Sequence, residues 1–299
     1  MRLLIAGTGA MACLFAARLS SAGNEVTVLG SWPEGLAALR QSGVRLQDLD
    51  GNRHQYSVEV MDGSATGGNF SHCLVLVKSW QTERVANQLG RCLSENGVVL
   101  TLQNGLGNDE LLKAALNPER VLLGVTTVGA RMLEPGHVQF TGSGKVFLGA
   151  HPHLGGVPEL LQKAGFSVEV VSDPVSLLWG KLVINAAINP LTALLRVPNG
   201  ELLERPAARE LLAQAAQEAA SVARMQGISL PYPDPVIAVE EVARNTSGNY
   251  SSMLQDVIRN AVTEIDAING AIVRVGEHLG VPTPVNRILW KLVNSLDHA

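Results

Sequence analysis

Two sets of polar residues interrupt apolar stretches of this chain at a regular spacing. In "PVSLLWGKLVINAAINPLTALL", Lys181, Asn185 and Asn189 recur every fourth residue among Leu177, Leu178, Leu182, Val183, Ile184 and Ile188. Residues four apart share one face of a helix, so these three form a polar line along an otherwise buried element. Burying an ammonium or an amide is costly unless it is paired or meets a ligand. Burial among apolar side chains lowers a lysine's pKa, which helps proton transfer, while a nearby carboxylate such as Glu264 or that of a ligand pushes it the other way, and the sequence leaves the net direction open. In "SSMLQDVIRNAVTEIDAINGAIVRV", Ser252, Asp256, Asn260 and Glu264 repeat the spacing, with Met253, Val257, Ile258, Val262 and Ile265 covering the other faces. Glu264 is placed to hold a ligand hydroxyl or to tune Lys181. For Asp256 and Asn260 a plain solvated helix face explains the pattern equally well.

A third set lies at strand ends. Lys78 follows "CLVLV", and Gln103 and Asn104 follow "VVLTL", two runs apolar enough to be strands buried on both faces. Ligands of open α/β sheets bind outside such carboxyl ends, so these residues face the expected site. A fourth set is the turn Gly7, Thr8, Gly9, Ala10, Met11 and Ala12 in "RLLIAGTGAMA", a G-x-G-x-x-A arrangement between a first strand and a first helix. Gly7 allows the tight turn, Gly9 lets backbone approach a pyrophosphate, and Ala12 keeps the helix close to the sheet. The second strand, "EVTVL", leads to Ser31 with no Asp or Glu to grip an adenosine ribose. The missing carboxylate favours NADP (NADPH) over NAD, and Ser31 can hydrogen-bond either a hydroxyl or a 2′-phosphate.

Positioning these sets requires two domains. Residues 1–172 alternate apolar strands with helices in short β-α-β steps, the pattern of a Rossmann-like parallel sheet covered on both faces. Within it, residues 44–46 and 56–60 flank Asp50-Gly51 as a hairpin. Residues 173–299 carry helices over 175–189, 202–226, 233–244, 251–278 and 284–296, and no convincing strand. Asp173 and Pro174 open the first of these, and Pro190 is expected to end its regular hydrogen bonding. The fold class is therefore α/β followed by an all-α C-terminal domain, with the reactive centre expected between the two.

Composition narrows the partners. Net charge is −4 without a Lys/Arg stripe, which gives no reason to expect nucleic acid. Cys13, Cys73 and Cys92 show no pairing or C-x-x-C spacing and read as buried free thiols. The seven histidines are scattered, so no metal site is expected. Neither a signal peptide nor an unbroken run of apolar residues long enough for a membrane is apparent, and cytoplasm is the default.

The blocks "GTGAMA", "VKSWQT", "LQNGLGN", "WGKLVINAAINPLTAL" and "SSMLQDVIRNAVTEIDAINGAIVRVGEHLGVPTPVN" resemble the ketopantoate reductase (2-dehydropantoate 2-reductase) family over essentially the whole chain. The resemblance implies NADPH-dependent reduction of a small keto acid, hydride going to the C2 carbonyl. It implies Lys181 as the catalytic lysine and Glu264 as the substrate-binding glutamate. Asn104, Asn185, Asn189 and Ser252 would contact substrate, and Lys78 and Asn104 would lie by the cofactor. Two departures are visible. Ala12 stands where the family commonly has glycine, and Ser31 where it usually has an arginine for the 2′-phosphate, so Arg53 or another basic residue would have to compensate. Reduction of a different 2-keto acid, or a protein that binds NADP without chemistry, are the rival readings. Monomer and homodimer both fit the amphipathic C-terminal helices.

Overall fold

The structure is a computed structural model that describes residues 1–63 and 67–296 of the chain. It forms two compact units: residues 1–103 with 108–174, and residues 104–107 with 175–299.

The first unit runs β1 (Arg2–Ala6), α1 (Ala10–Ser21), β2 (Glu25–Gly30), α2 (Pro33–Ser42), β3 (Val44–Gln47), β4 (Arg53–Tyr56) and β5 (Glu59–Asp62). It continues with β6 (Phe70–Val75), α3 (Thr82–Cys92), β7 (Leu93–Thr101), α4 (Asn108–Ala115) and β8 (Val121–Thr126). It closes with β9 (Gly129–Glu134), β10 (His137–Gly142), β11 (Lys145–Gly149), α5 (Val157–Lys163) and β12 (Ser167–Val171). The main sheet has the order β12-β11-β8-β7-β6-β1-β2-β5. From β5 to β8 every neighbouring pair is parallel. Counted along the chain, those six strands stand 3-2-1-4-5-6, the order of doubly wound dinucleotide-binding sheets, which reverses between β1 and β6. Leu3, Leu4, Ile5 and Ala6 are fully buried because helices cover both faces of a parallel sheet, and this is why β1 reads as unbroken apolar sequence.

The expected hairpin is only partly formed. β3 and β4 pair antiparallel, but residues 59–62 leave them and join β2 in the main sheet. β3 and β4 instead belong to a second sheet of order β4-β3-β10-β9. Strand β9, "GARMLE", has no buried residue and so lacks the apolar signal that marks the buried strands. The three cysteines are free and buried.

The second unit is helical: α6 (Pro174–Leu195), α7 (Glu201–Glu204), α8 (Pro206–Met225), α9 (Pro235–Asn245), α10 (Ser252–Ile258), α11 (Asn269–Leu279) and α12 (Pro284–Asn294). The helix expected over 202–226 is two helices, the second starting with Pro206 at its first position, where a missing N–H costs nothing. The helix expected over 251–278 is also broken. Asn260 takes a left-handed φ of 52° while the Ala261 N–H donates to Asp256 O at 2.9 Å, a Schellman-type ending in which asparagine replaces the usual glycine. Ser252, Asp256, Asn260 and Glu264 therefore do not form one helical line: the first two are on α10, Asn260 caps it, and Glu264 is on the connection to α11.

Pro190 does not end α6, contrary to expectation; the helix continues to Leu195. A proline removes the N–H that would serve the carbonyl four residues earlier, here Ala186. Asn269 Nδ2 supplies the missing donor to Ala186 O at 2.9 Å and also donates to Asn286 Oδ1 at 3.0 Å. Asn286 Nδ2 in turn donates to Ala215 O and to Glu218 Oε2, so one buried amide chain ties α6, α11, α12 and α8 together. Asn269→Ala leaves two buried acceptors without that donor and should cost ~2–4 kcal/mol of stability. Pro190→Ala restores a helix N–H for Ala186 O, so in that background the same substitution should cost at least ~1 kcal/mol less. Denaturant unfolding of the four proteins measures the difference; equal costs in both backgrounds contradict the pairing.

α6 is long and apolar enough to cross a membrane, but most of it is buried within the second unit, where Trp179, Val183, Ala187 and Leu191 form part of a core with α8, α11 and α12. Its apolar character is that of a central packing helix.

Candidate active site

In the first unit the glycine turn has the geometry a dinucleotide needs. Gly7 has φ 132°, its N–H donates to Leu29 O at 2.8 Å, and a Cβ there would fall 2.9 Å from Leu76 O. Only glycine fits. Gly9, extended at the N-cap of α1, has no atom within 4 Å of where a Cβ would stand. No side chain caps α1, and its first turn carries no acidic residue, so its leading N–H groups are presented without a competing anion. Ala12 is fully buried and its Cβ lies 3.2 Å from the position a Cβ on Gly7 would take, so the turn tolerates alanine at this point. The Thr8 side chain packs over Gly30, and Ala10 and Met11 begin α1 half-buried. The residues present fit a pyrophosphate on this helix end.

Ser31 is exposed immediately after β2, and Arg84 of α3 reaches it: Nη2 donates to Ser31 Oγ at 3.0 Å. Arg84 Nη1 donates to Gln88 Oε1 at 3.1 Å, and Gln88 Nε2 donates to Gly63 O. Arg53, the basic residue named as a substitute for the family's arginine, lies instead on β4 in the second sheet. Fifty-three positions separate Ser31 from Arg84, so no local sequence signal joins them.

Lys78 follows β6, extended and half-buried, at the N-cap of a one-turn 3-10 helix over Ser79–Gln81. Gln103, expected at a ligand, is a structural residue. It is buried, accepts from Thr101 Oγ1 at 3.0 Å, and donates from Nε2 to Val77 O at 3.0 Å and Thr82 Oγ1 at 2.8 Å. Thr82 Oγ1 passes the chain on to Asn108 Oδ1 at 2.8 Å. This buried network fixes the ends of the strands that lead to Lys78 and Asn104.

In the second unit, Asn104, Lys181 and Glu264 come together. The segment 104–107 belongs to this unit because it is fastened to the connection between α10 and α11. Leu106 N–H donates to Ala267 O at 3.0 Å, and Gly105, with φ 83°, lies so close to Ala267 that a Cβ would stand 2.7 Å from its carbonyl oxygen. That fastening sets Asn104 Nδ2 3.5 Å from Glu264 Oε2. Glu264 is buried, with 6% of its surface exposed. Lys181 is half-buried by area, yet enough protein surrounds it that desolvation lowers its pKa to about 8, while the Glu264 carboxylate acts in the opposite direction. Asn185 and Asn189 follow Lys181 along α6, the first half-buried and the second buried.

Ser252 is exposed at the start of α10. Its neighbour Ser251, which sequence reasoning passed over, is the N-cap: Oγ accepts from Leu254 N–H at 3.1 Å and lies 2.7 Å from Thr192 Oγ1. Thr192 in turn donates to Ile188 O and Asn189 O, near the point where Pro190 leaves the helix short of a donor. The "N-Y-S-S" run could have signalled a capping serine. Nothing local pointed to its partner on α6.

Residues 3–153 match the family model for ketopantoate reductase PanE/ApbA, and residues 175–297 match the model for its C-terminal domain. The chain belongs to the ketopantoate reductase family. It is thereby an oxidoreductase. The 2-dehydropantoate 2-reductase of Archaeoglobus fulgidus is 38% identical, covering 99% of this chain and 98% of that protein. The family's ketopantoate reductase structure from Ralstonia eutropha JMP134 superposes with a TM-score of 0.91 at 33% identity, covering 99% and 98% of the two chains. A ternary structure of D-mandelate dehydrogenase with NADH and anilino(oxo)acetate superposes with a TM-score of 0.93 at 28% identity and the same coverage. Membership of this family brings with it a nicotinamide cofactor and a small keto-acid substrate.

Proposed function

We propose that the protein reduces 2-dehydropantoate to pantoate with NADPH, and that Lys181 gives the proton. The observation that carries this reading is the half-buried, desolvated lysine of lowered pKa on α6, grouped with Glu264 and Asn104. A nicotinamide dinucleotide, held by the turn Gly7–Ala12 and the N-terminus of α1, supplies the hydride when bound. Negative charge then develops on the carbonyl oxygen of the substrate. A cation at that oxygen stabilises the transition state more than the ground state, and Lys181 is the cation available in the cluster. Its Nζ transfers a proton to the oxygen and is left neutral, a change that a pKa near the working pH makes easy in both directions. Glu264 accepts a hydrogen bond from the substrate's hydroxyl. Asn104, Asn185, Asn189 and Ser252 supply hydrogen bonds for the carbonyl and carboxylate ends, and Lys78 interacts with the cofactor.

The superposition on D-mandelate dehydrogenase supports a second reading, an NADH-linked dehydrogenase of another 2-hydroxy acid. The same lysine would serve it. The pair of Ser31 and Arg84 favours a phosphorylated cofactor and hence the first reading. Steady-state rates with 2-dehydropantoate, 2-ketoisovalerate and an aryl keto acid, each with NADPH and NADH, test the choice. 2-Dehydropantoate with NADPH should give the highest kcat/KM. A preference for the aryl keto acid with NADH would overturn it in favour of the second reading.

A further inference from the structure

We infer that Arg84, from helix α3, supplies the positive charge that recognises the 2′-phosphate of NADPH, with Ser31 as its hydrogen-bonding partner. The inference rests on the nucleotide site at the end of β2. In sheets of this order the adenosine ribose lies beside the residue that follows the second strand, and the group standing there decides between a hydroxyl and a phosphate. Here that residue is Ser31, a neutral side chain too short to bind a dianion alone. The guanidinium of Arg84 lies against it at 3.0 Å.

Several features make this a prepared cation. The two acceptors described for Arg84, Ser31 Oγ and Gln88 Oε1, are neutral. Gln88 is itself held, largely buried, by its bond to Gly63 O, and this fixes one side of the guanidinium fork. Arginine carries five N–H donors, and the two bonds described leave others for phosphate oxygens. Ser31, accepting from Arg84, retains its own O–H to donate to the same phosphate. The strand-end acid Asp62 pairs in register with Gly30 on the neighbouring strand, and its carboxylate lies 3.4 Å from Arg40 Nη2. Placing the cation on α3 also means that it does not follow from the residue after β2.

Equilibrium binding tests this directly. The dissociation constants of NADPH, NADH, adenosine 2′,5′-bisphosphate and AMP are measured by fluorescence or calorimetry for the wild type, Arg84→Ala and Arg84→Lys. Arg84→Ala should weaken NADPH and the bisphosphate roughly 10- to 100-fold while leaving NADH and AMP unchanged, because only the 2′-phosphate loses a charged donor. Arg84→Lys should recover part of the loss, keeping the charge but not the planar fork. Unchanged NADH binding shows at once that the variant is folded. If the wild type prefers NADPH and Arg84→Ala keeps that preference, the inference falls and the cofactor reading stands. If the wild type binds NADPH no more tightly than NADH, the cofactor reading itself falls, and the inference with it.

Discussion

Replacing Lys181 by alanine lowers turnover of the keto acid roughly 10²- to 10⁴-fold, the range that a positioned general acid contributes, while cofactor binding persists. The dinucleotide features lie in the first unit and Lys181 in the second, so the Kd for NADPH should hardly change. The pH dependence is equally specific. Burial brings the Lys181 pKa down to about 8 against the pull of Glu264, and the proton-donating form is lost above that value. The wild-type kcat/KM should therefore fall by about tenfold per pH unit above pH ~8. Stability should show the opposite face of the same group. Between about 8 and the ordinary lysine value of 10.5 the unfolded chain holds this proton more firmly than the folded one. The ammonium thus destabilises the fold below pH 8, and the penalty lifts as pH rises through that window. Lys181→Met, which keeps the bulk and removes the charge, should melt at a higher temperature than the wild type near neutral pH. Its advantage should shrink towards zero as pH approaches about 10.5. A melting temperature lower than wild type at neutral pH would mean that the ammonium is a net structural support.

Removing Glu264 should be the next most damaging change, and it should discriminate between substrates. Glu264→Ala is expected to lower kcat/KM for 2-dehydropantoate by about 10²- to 10³-fold, since the substrate's hydroxyl loses a charged acceptor in a buried site. With 2-ketoisovalerate, which has no hydroxyl, the change should be small, because wild-type Glu264 has no group on that substrate to receive. Glu264 also opposes the lowering of the Lys181 pKa, so its removal should move the alkaline fall in rate to lower pH. Rates for both substrates across pH measure the two effects together. An equal loss with both substrates and an unmoved pH limb would show that Glu264 acts on the local structure only.

What could be read in advance follows the range of the interactions involved. The Gly7 turn was legible because the need for glycine is set by its own φ and the adjoining strand end. The line Lys181, Asn185, Asn189 was legible because helix periodicity places residues four apart on one face whatever surrounds them. Pro190 was misread for a reason of the same kind. Its local rule predicts a lost hydrogen bond, and the bond is lost, but Asn269 restores a donor from 79 residues away by position on the chain. Asn260 carried the converse lesson: an asparagine that fits a polar helix face also fits a left-handed cap, and periodicity alone could not separate them. Gln103 and Asn104 adjoin in sequence, yet one is committed to the strand-end network and the other reaches Glu264; only the packing of Gly105 on Ala267 separates the two roles. Arg84 was invisible for the plainest reason, that its partnership with Ser31 exists only once α3 is folded against the sheet.

Reduction of 2-dehydropantoate by this chain with NADPH is met directly by one assay. NADPH oxidation is followed by absorbance in the presence of 2-dehydropantoate, and the product is quantified at the end. Rapid, enzyme-dependent loss of NADPH is expected, with one pantoate formed for each NADPH consumed. A protein that binds NADPH yet leaves 2-dehydropantoate unreduced, while Lys181 and Glu264 are intact, would contradict it.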